Sequence, residues 1–221
     1  MEVHDVLFQL LCGRISDIRP FGWQLAVPVT VDPVMTPLSP QLLGPVYGLS
    51  EFALLLAKRS RGASESNDRG SLGMLWAVIL GSIGLAIASS MFVRKADSEL
   101  LANLAPVAGA MFVGGLVLRW YAIFYLGPLF TVNVAIASDH RLIDTGPYRY
   151  IRHPSYAGAL LAFLGLGISF GNWLALLLVL IPTSLAFMRR IAIEETALRG
   201  ALGESYVRYI ARTKRLIPLV Y

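Results

Sequence analysis

The chain has 221 residues, 56% of them apolar and only 15% charged, with a mean hydropathy of +0.62, whereas a soluble domain carries about a quarter charged residues. This composition excludes a disordered chain and a basic nucleic-acid-binding domain, and a single cysteine, Cys12, excludes a disulfide scaffold. The net charge of +5, from 19 Lys and Arg against 14 Asp and Glu, is the excess expected of cytoplasmic loops lying against anionic lipid.

The expected fold is all-α, a polytopic membrane protein with about five transmembrane helices. The first fifteen residues hold acids and lack a basic region followed by an apolar core, so no secretory signal is expected. Residues 1–37 contain Pro20, Pro28, Pro33 and Pro37, which break a regular span and leave an interfacial or re-entrant segment. A bilayer core needs about 20 mainly apolar residues per helix. The first span runs from about Leu38 to Ala57 and stops at Lys58-Arg59-Ser60-Arg61. A flexible polar loop follows, Ser60 to Ser71, and then the charge-free second span, Leu72 to Val93. The third begins near Leu100, passes Pro106 and Gly114-Gly115 and ends near Leu126, with Arg119 as its one charge. The last apolar block, Tyr156 to Met188, is too long for one helix. Gly171-Asn172 splits it into a helical hairpin with short arms of about 15 to 17 residues.

Orientation follows from the basic residues. With the N-terminus outside, segments 58–71, 127–154 and 188–221 carry 14 Lys or Arg, and the outer segments carry four. The C-terminus is therefore expected in the cytoplasm. No internal repeat is visible, which disfavours a transporter built from inverted halves.

The chemistry is expected in two polar stretches, Asn133 to Tyr156 and Arg189 to Tyr209. Pro154 suits the first position of a helix and biases His153 towards an extended backbone. His153 would then stand at a helix mouth, where free N–H groups and the dipole favour an anionic group. Gly158 would let a ligand or a neighbouring helix approach closely. If the last span continues, Arg190 and Glu194 share a face, being four apart. Beyond it, Leu202 to Tyr209 reads as an amphipathic segment on the membrane surface, with Arg208, Arg212, Lys214 and Arg215 near lipid phosphates. On composition alone, both stretches also read as ordinary basic flanks with snorkelling arginines and surface ion pairs. Three scattered histidines, His4, His140 and His153, give no metal cage.

Taken in order, several fragments from Gly115 to Pro218 resemble the isoprenylcysteine carboxyl methyltransferase family, and more broadly the membrane methyltransferases that include phospholipid N-methyltransferases. They are Leu118-Arg119-Trp120, Leu126-Gly127, Phe130-Thr131, His140-Arg141-Leu142-Ile143, Gly146-Pro147-Tyr148 and Arg152-His153-Pro154-Ser155-Tyr156-Ala157-Gly158. Arg190, Glu194-Glu195, Gly203-Glu204, Tyr206, Tyr209 and Pro218 complete the series. The sequence departs at Pro128, where many members have a basic residue, and the first 100 residues carry no resemblance.

The resemblance implies an S-adenosylmethionine-dependent methyltransferase acting on a lipophilic acceptor, such as the carboxylate of a prenylated cysteine. The apolar runs place transmembrane helices 1–3 in residues 38–126, and the resemblance puts the catalytic region and its cytoplasmic cofactor pocket in residues 127–221. It carries over Asn133, His140, Arg141, Leu142, Ile143, Tyr148, His153, Pro154, Ser155, Tyr156 and Glu194 as cofactor contacts, and Arg190 as the residue at the methyl acceptor. Membrane lipid is the other expected partner. The setting is an endoplasmic reticulum or bacterial cytoplasmic membrane, with the active site on the cytoplasmic side. Alternatives are a phospholipid amine or thiol acceptor, an NADPH-dependent sterol reductase, or a non-enzymatic membrane subunit. Glu194-Glu195 favours a cofactor with an amino group over one with a 2′-phosphate.

Overall fold

Each apolar run folds into a helix because a backbone in hydrocarbon must satisfy its own polar groups. The computed structural model describes residues 39–57, 70–92, 99–127, 130 and 142–218. The expected N-terminal segment, residues 1–37, and nearly all of the loop before Ser71 lie outside the described residues. The helices are α1, Pro40–Ala57; α2, Ser71–Phe92; α3, Glu99–Asn103; α4, Ala105–Leu126; α5, Pro154–Ser169; α6, Trp173–Leu202; and α7, Glu204–Arg212. A 3₁₀ turn, Gly146–Arg149, precedes α5. The described residues contain no strand, only an isolated parallel bridge between Ile151 and Lys214.

Among the described residues, three helices are long and apolar enough to cross a membrane: α2, α4 and α6. The chain is an integral membrane protein. α5 is apolar but has 16 residues, and α1 has 18, including Glu51.

Two boundaries differ from the expected ones. The third span does not run unbroken from Leu100: α3 ends at Asn103 and α4 starts at Ala105. Pro106, in the first turn of α4, has no N–H to give to the carbonyl four residues earlier, so a continuous helix would lose a rung there. The second arm of the hairpin is not short either. α6 runs for 30 residues, because its sequence past Met188, including Ala192, Glu194, Glu195 and Leu198, remains helix-favouring after it ceases to be apolar.

The hairpin turn lies where Gly171-Asn172 indicates. Gly171 is left-handed at φ 69°, and the Asn172 side chain caps α6 by accepting from the Ala175 N–H at 2.7 Å. α5 packs closely on α4, and α2 on α6. Gly115 and Gly158 set the first of these crossings. A Cβ on Gly158 would lie 2.6 Å from the Arg119 nitrogen, and one on Gly115 2.5 Å from the Gly158 carbonyl oxygen. Small residues at a helix crossing let two backbones meet in this way. Gly158 therefore admits a neighbouring helix. The main core includes Tyr47, Ile79, Phe112, Phe163, Val179 and Phe187, so α1, α2, α4, α5 and α6 share it.

Candidate active site

His153 is the N-cap of α5, and Pro154 occupies the first turn. The C-terminal segment returns alongside: Arg152 N–H donates to the Lys214 carbonyl at 2.8 Å, and His153 N–H to that of Arg215 at 3.0 Å. This brings three nitrogen-bearing side chains onto Glu195. Arg152 Nε lies 2.8 Å from Oε1, His153 Nε2 3.4 Å from Oε1 and Arg215 Nη2 3.1 Å from Oε2. Glu195 is only 2% exposed. A carboxylate so enclosed has its lone pairs taken up, which offsets its desolvation.

The adjacent Glu194 has a different setting. Its side chain is 31% exposed and accepts a hydrogen bond from the Tyr156 hydroxyl at 2.8 Å. The same hydroxyl accepts from Arg190 Nε at 3.1 Å, and Arg190 Nη1 donates to Ser71 Oγ at 2.8 Å. Tyr156 therefore joins a cation on one side to an anion on the other. The imidazole of His153 stacks on the Tyr156 ring, with centroids 5.5 Å apart and planes 8° apart, and its Nδ1 is 4.0 Å from Glu194 Oε2. Arg190 is 3% exposed. Its neighbour Arg189 faces outward and contacts the Met74 sulfur.

Arg190 and Tyr156 also line a cavity of about 530 Å³, counting its open mouth, between α1, α2, α4, α5 and α6. Leu54, Leu75, Trp76, Ile79 and Phe187 supply much of its apolar wall, and Glu51 and Arg119 also line it.

Of the residues singled out in the sequence, His153, Tyr156, Arg190 and Glu194 converge in this cluster. Pro154 and Ser155 complete the first turn of α5, and the Ser155 carbonyl accepts from Arg119 Nη1 at 3.2 Å. The Tyr148 ring is buried and its hydroxyl donates to the Ala122 carbonyl at 3.1 Å, so it braces the 3₁₀ turn against α4. Leu142 and Ile143 are half-buried in the segment leading to that turn. Asn133, His140 and Arg141 lie outside the described residues. Arg212 pairs with Asp144 and Arg215 with Glu195, so these two are drawn to protein carboxylates. α7 turns Tyr206 and Tyr209 into the protein.

Sequence reasoning passed over Glu195 as a hub, Ser71 and the Glu51–Arg119 pair, and named Tyr206 only within the resemblance, with no role in the site. The Tyr206 hydroxyl is buried with no hydrogen-bond partner among the described residues. Burial, with the Glu195 and Glu194 carboxylates nearby, pushes its pKa above the usual phenol range, so it remains a neutral donor at physiological pH.

The sequence model of the isoprenylcysteine carboxyl methyltransferase (ICMT) family matches residues 108–200, which run from α4 to the end of α6 and include every residue of the Arg190–Tyr156–Glu194 chain. The match covers 93 of the 221 residues. The chain is 36% identical over 108 residues to the protein-S-isoprenylcysteine O-methyltransferase of Schizosaccharomyces pombe, covering 48% of this chain and 46% of that one. It is 32% identical over 112 residues to protein-S-isoprenylcysteine O-methyltransferase B of Arabidopsis thaliana, covering 50% and 57%. The chain thus spans about half the length of these curated ICMT relatives. A solved structure of the eukaryotic intramembrane Ras methyltransferase ICMT superimposes with a TM-score of 0.63 at 24% identity, covering 85% of this chain and 69% of that one. The two share a fold.

Proposed function

We propose that the protein is an integral membrane methyltransferase that uses S-adenosylmethionine to methylate the carboxylate of a lipophilic acceptor such as a prenylated cysteine. One observation carries the reading: Tyr156 links a buried arginine that lines an apolar cavity to a partly exposed carboxylate outside it. An acceptor with a hydrocarbon tail and a carboxylate suits the first environment, and a donor bearing an amino group suits the second.

The residues fit the cofactor. Glu194 offers a carboxylate to an amino group, and the Tyr206 hydroxyl is a buried donor without a partner among the described residues. His153 and Tyr156 stack as an aromatic pair beside Glu194. When bound, S-adenosylmethionine supplies an electrophilic methyl group on a sulfonium. A C-terminal carboxyl group, with an unperturbed pKa of about 3.5, is already ionised at neutral pH and needs no general base. The task left to the protein is alignment, which can lower a barrier by several kcal/mol. Arg190 orients the carboxylate from the cavity wall, and Tyr156 keeps Arg190 and Glu194 at a fixed separation. Asn133, His140 to Ile143, Tyr148, Pro154 and Ser155 are assigned to the cofactor's surroundings by the family resemblance, and residues 127–221 to the catalytic region.

The proposed topology has five spans, α1, α2, α4, α5 and α6, with the C-terminus and cofactor site in the cytoplasm. With Cys12 replaced, Glu65→Cys and Ser205→Cys should label from the same, cytoplasmic side of sealed vesicles. Labelling from opposite sides would mean a miscounted span.

The activity is tested by methyl transfer from labelled cofactor to a panel of a farnesylcysteine, an ethanolamine lipid and a simple thiol. The carboxylate reading expects a base-labile methyl ester on the farnesylcysteine. Label on the lipid amine or the thiol instead would overturn it.

A further inference from the structure

Glu195 has no part in the chemistry proposed above, yet its grip on His153 reaches the site. Burial alone would raise its pKa, but hydrogen bonds from His153, Arg215 and Arg152 outweigh burial and hold it well below the usual carboxylate range. An ionised carboxylate only accepts hydrogen bonds. The ring nitrogen facing it, His153 Nε2 at 3.4 Å from Oε1, therefore carries the hydrogen. Two guanidinium groups, those of Arg152 and Arg215, already face the single charge of Glu195, so no third cation is called for. In a neutral imidazole with its hydrogen on Nε2, the lone pair sits on Nδ1. Nδ1 lies 4.0 Å from Glu194 Oε2, beyond hydrogen-bond reach. Stacking on Tyr156 holds the ring in this plane. Two acceptors thus face each other with no hydrogen between them.

From this arrangement we infer that Glu195 is a positioning residue: it fixes His153 as the Nε2–H tautomer, which leaves Nδ1 and Glu194 Oε2 as paired acceptors for one ammonium, the amino group of the cofactor. The inference rests on the S-adenosylmethionine reading. An ammonium carries three donors, enough to serve both acceptors at once. The two ring nitrogens then have separate duties, Nε2 to the fold and Nδ1 to the ligand. A histidine that only braced Glu195 would be indifferent to the ligand's amino group.

The test uses the full-length protein in detergent, with S-adenosylhomocysteine and its desamino analogue as calorimetric probes. A glutamine amide reaches the Nε2 position and can serve Glu195, whereas the shorter asparagine amide stops near the Nδ1 position. His153→Gln should melt near wild type but bind S-adenosylhomocysteine about 10-fold more weakly, the scale of one charge-assisted hydrogen bond. The desamino analogue should bind it as it binds wild type. His153→Asn should show the reverse, with affinity largely kept and a lower melting temperature. The tautomer is read directly by nitrogen NMR on His4→Asn/His140→Asn, in which His153 is the one remaining histidine. At about pH 8, above the ordinary imidazole pKa of about 6.5, the hydrogen should sit on Nε2, and adding Glu195→Gln should admit the Nδ1–H form. The calorimetry and the first spectrum leave Glu195 in place, so its cost in stability does not enter them. A hydrogen on Nδ1, an unchanged tautomer in Glu195→Gln, or equal losses of both ligands in His153→Gln would overturn the inference. Failure of the wild-type protein to bind S-adenosylhomocysteine is a separate result and would overturn the cofactor reading instead.

Discussion

Glu194 and Glu195 are neighbours in the chain, yet they face opposite demands. Glu195 is enclosed by Arg152, His153 and Arg215, and its partners tie the C-terminal segment to the start of α5. Glu194 takes one hydrogen bond from Tyr156 and keeps nearly a third of its side chain exposed. On a helix, successive residues point about 100° apart, so one faces the fold and the other the site. A charged residue with its partners supplied by the protein holds structure, whereas one still partly open to solvent can meet a ligand.

The sharpest way to break this contrast is at its closed side. Glu195→Ala leaves cationic groups buried without their carboxylate, and breaking a buried pair costs about 3–5 kcal/mol. The variant should lose thermal stability in detergent by far more than Glu194→Gln does, and comparable melting of the two would erase the distinction. Arg190→Ala comes next. It should lose on the order of 2–4 kcal/mol of transition-state stabilisation, roughly 30- to 1000-fold in kcat/KM for a carboxylate acceptor. On the open side, Glu194→Gln should weaken S-adenosylhomocysteine binding by roughly 10- to 100-fold, the loss of one charge-assisted hydrogen bond at about 1.5–3 kcal/mol. His153→Ala should weaken it over the same range, but with a drop in melting temperature, because His153 also faces Glu195. Glu194→Gln should melt like wild type. The smallest effect belongs to Arg189→Ala. Its side chain faces outward, and activity should stay near wild type.

Local chemistry made much of this legible in the sequence. The hairpin was readable because Gly171-Asn172 combines a left-handed residue with a helix cap. His153 at the mouth of α5 followed from Pro154, and the shared face of Arg190 and Glu194 from a spacing of four. What could not be read depends on contacts between distant segments. Arg119 stood out as a lone charge in a span, but its partner Glu51 is 68 positions earlier and carries no local signal. Tyr156 was visible within its motif, yet its bridging role required α5 and α6 to be set side by side. Glu195 could not be told from Glu194, since only the return of the C-terminal segment closes it off. The break before α4 was missed because Pro106 is compatible both with a kinked span and with a fresh helix start.

In the proposed site Arg190 holds the acceptor while the cofactor is held elsewhere, and paired measurements on adjacent arginines separate these two roles. For Arg189→Ala, Arg190→Ala and Arg190→Lys, kcat/KM with a farnesylcysteine is measured beside the Kd for S-adenosylhomocysteine. The account expects a large loss of kcat/KM in Arg190→Ala and partial recovery in Arg190→Lys, since an ammonium lacks the two-pronged geometry. Arg189→Ala should be close to wild type, and the cofactor Kd should be little changed in all three. Equal losses at Arg189 and Arg190, or a cofactor Kd that weakens in step with kcat/KM, would contradict it.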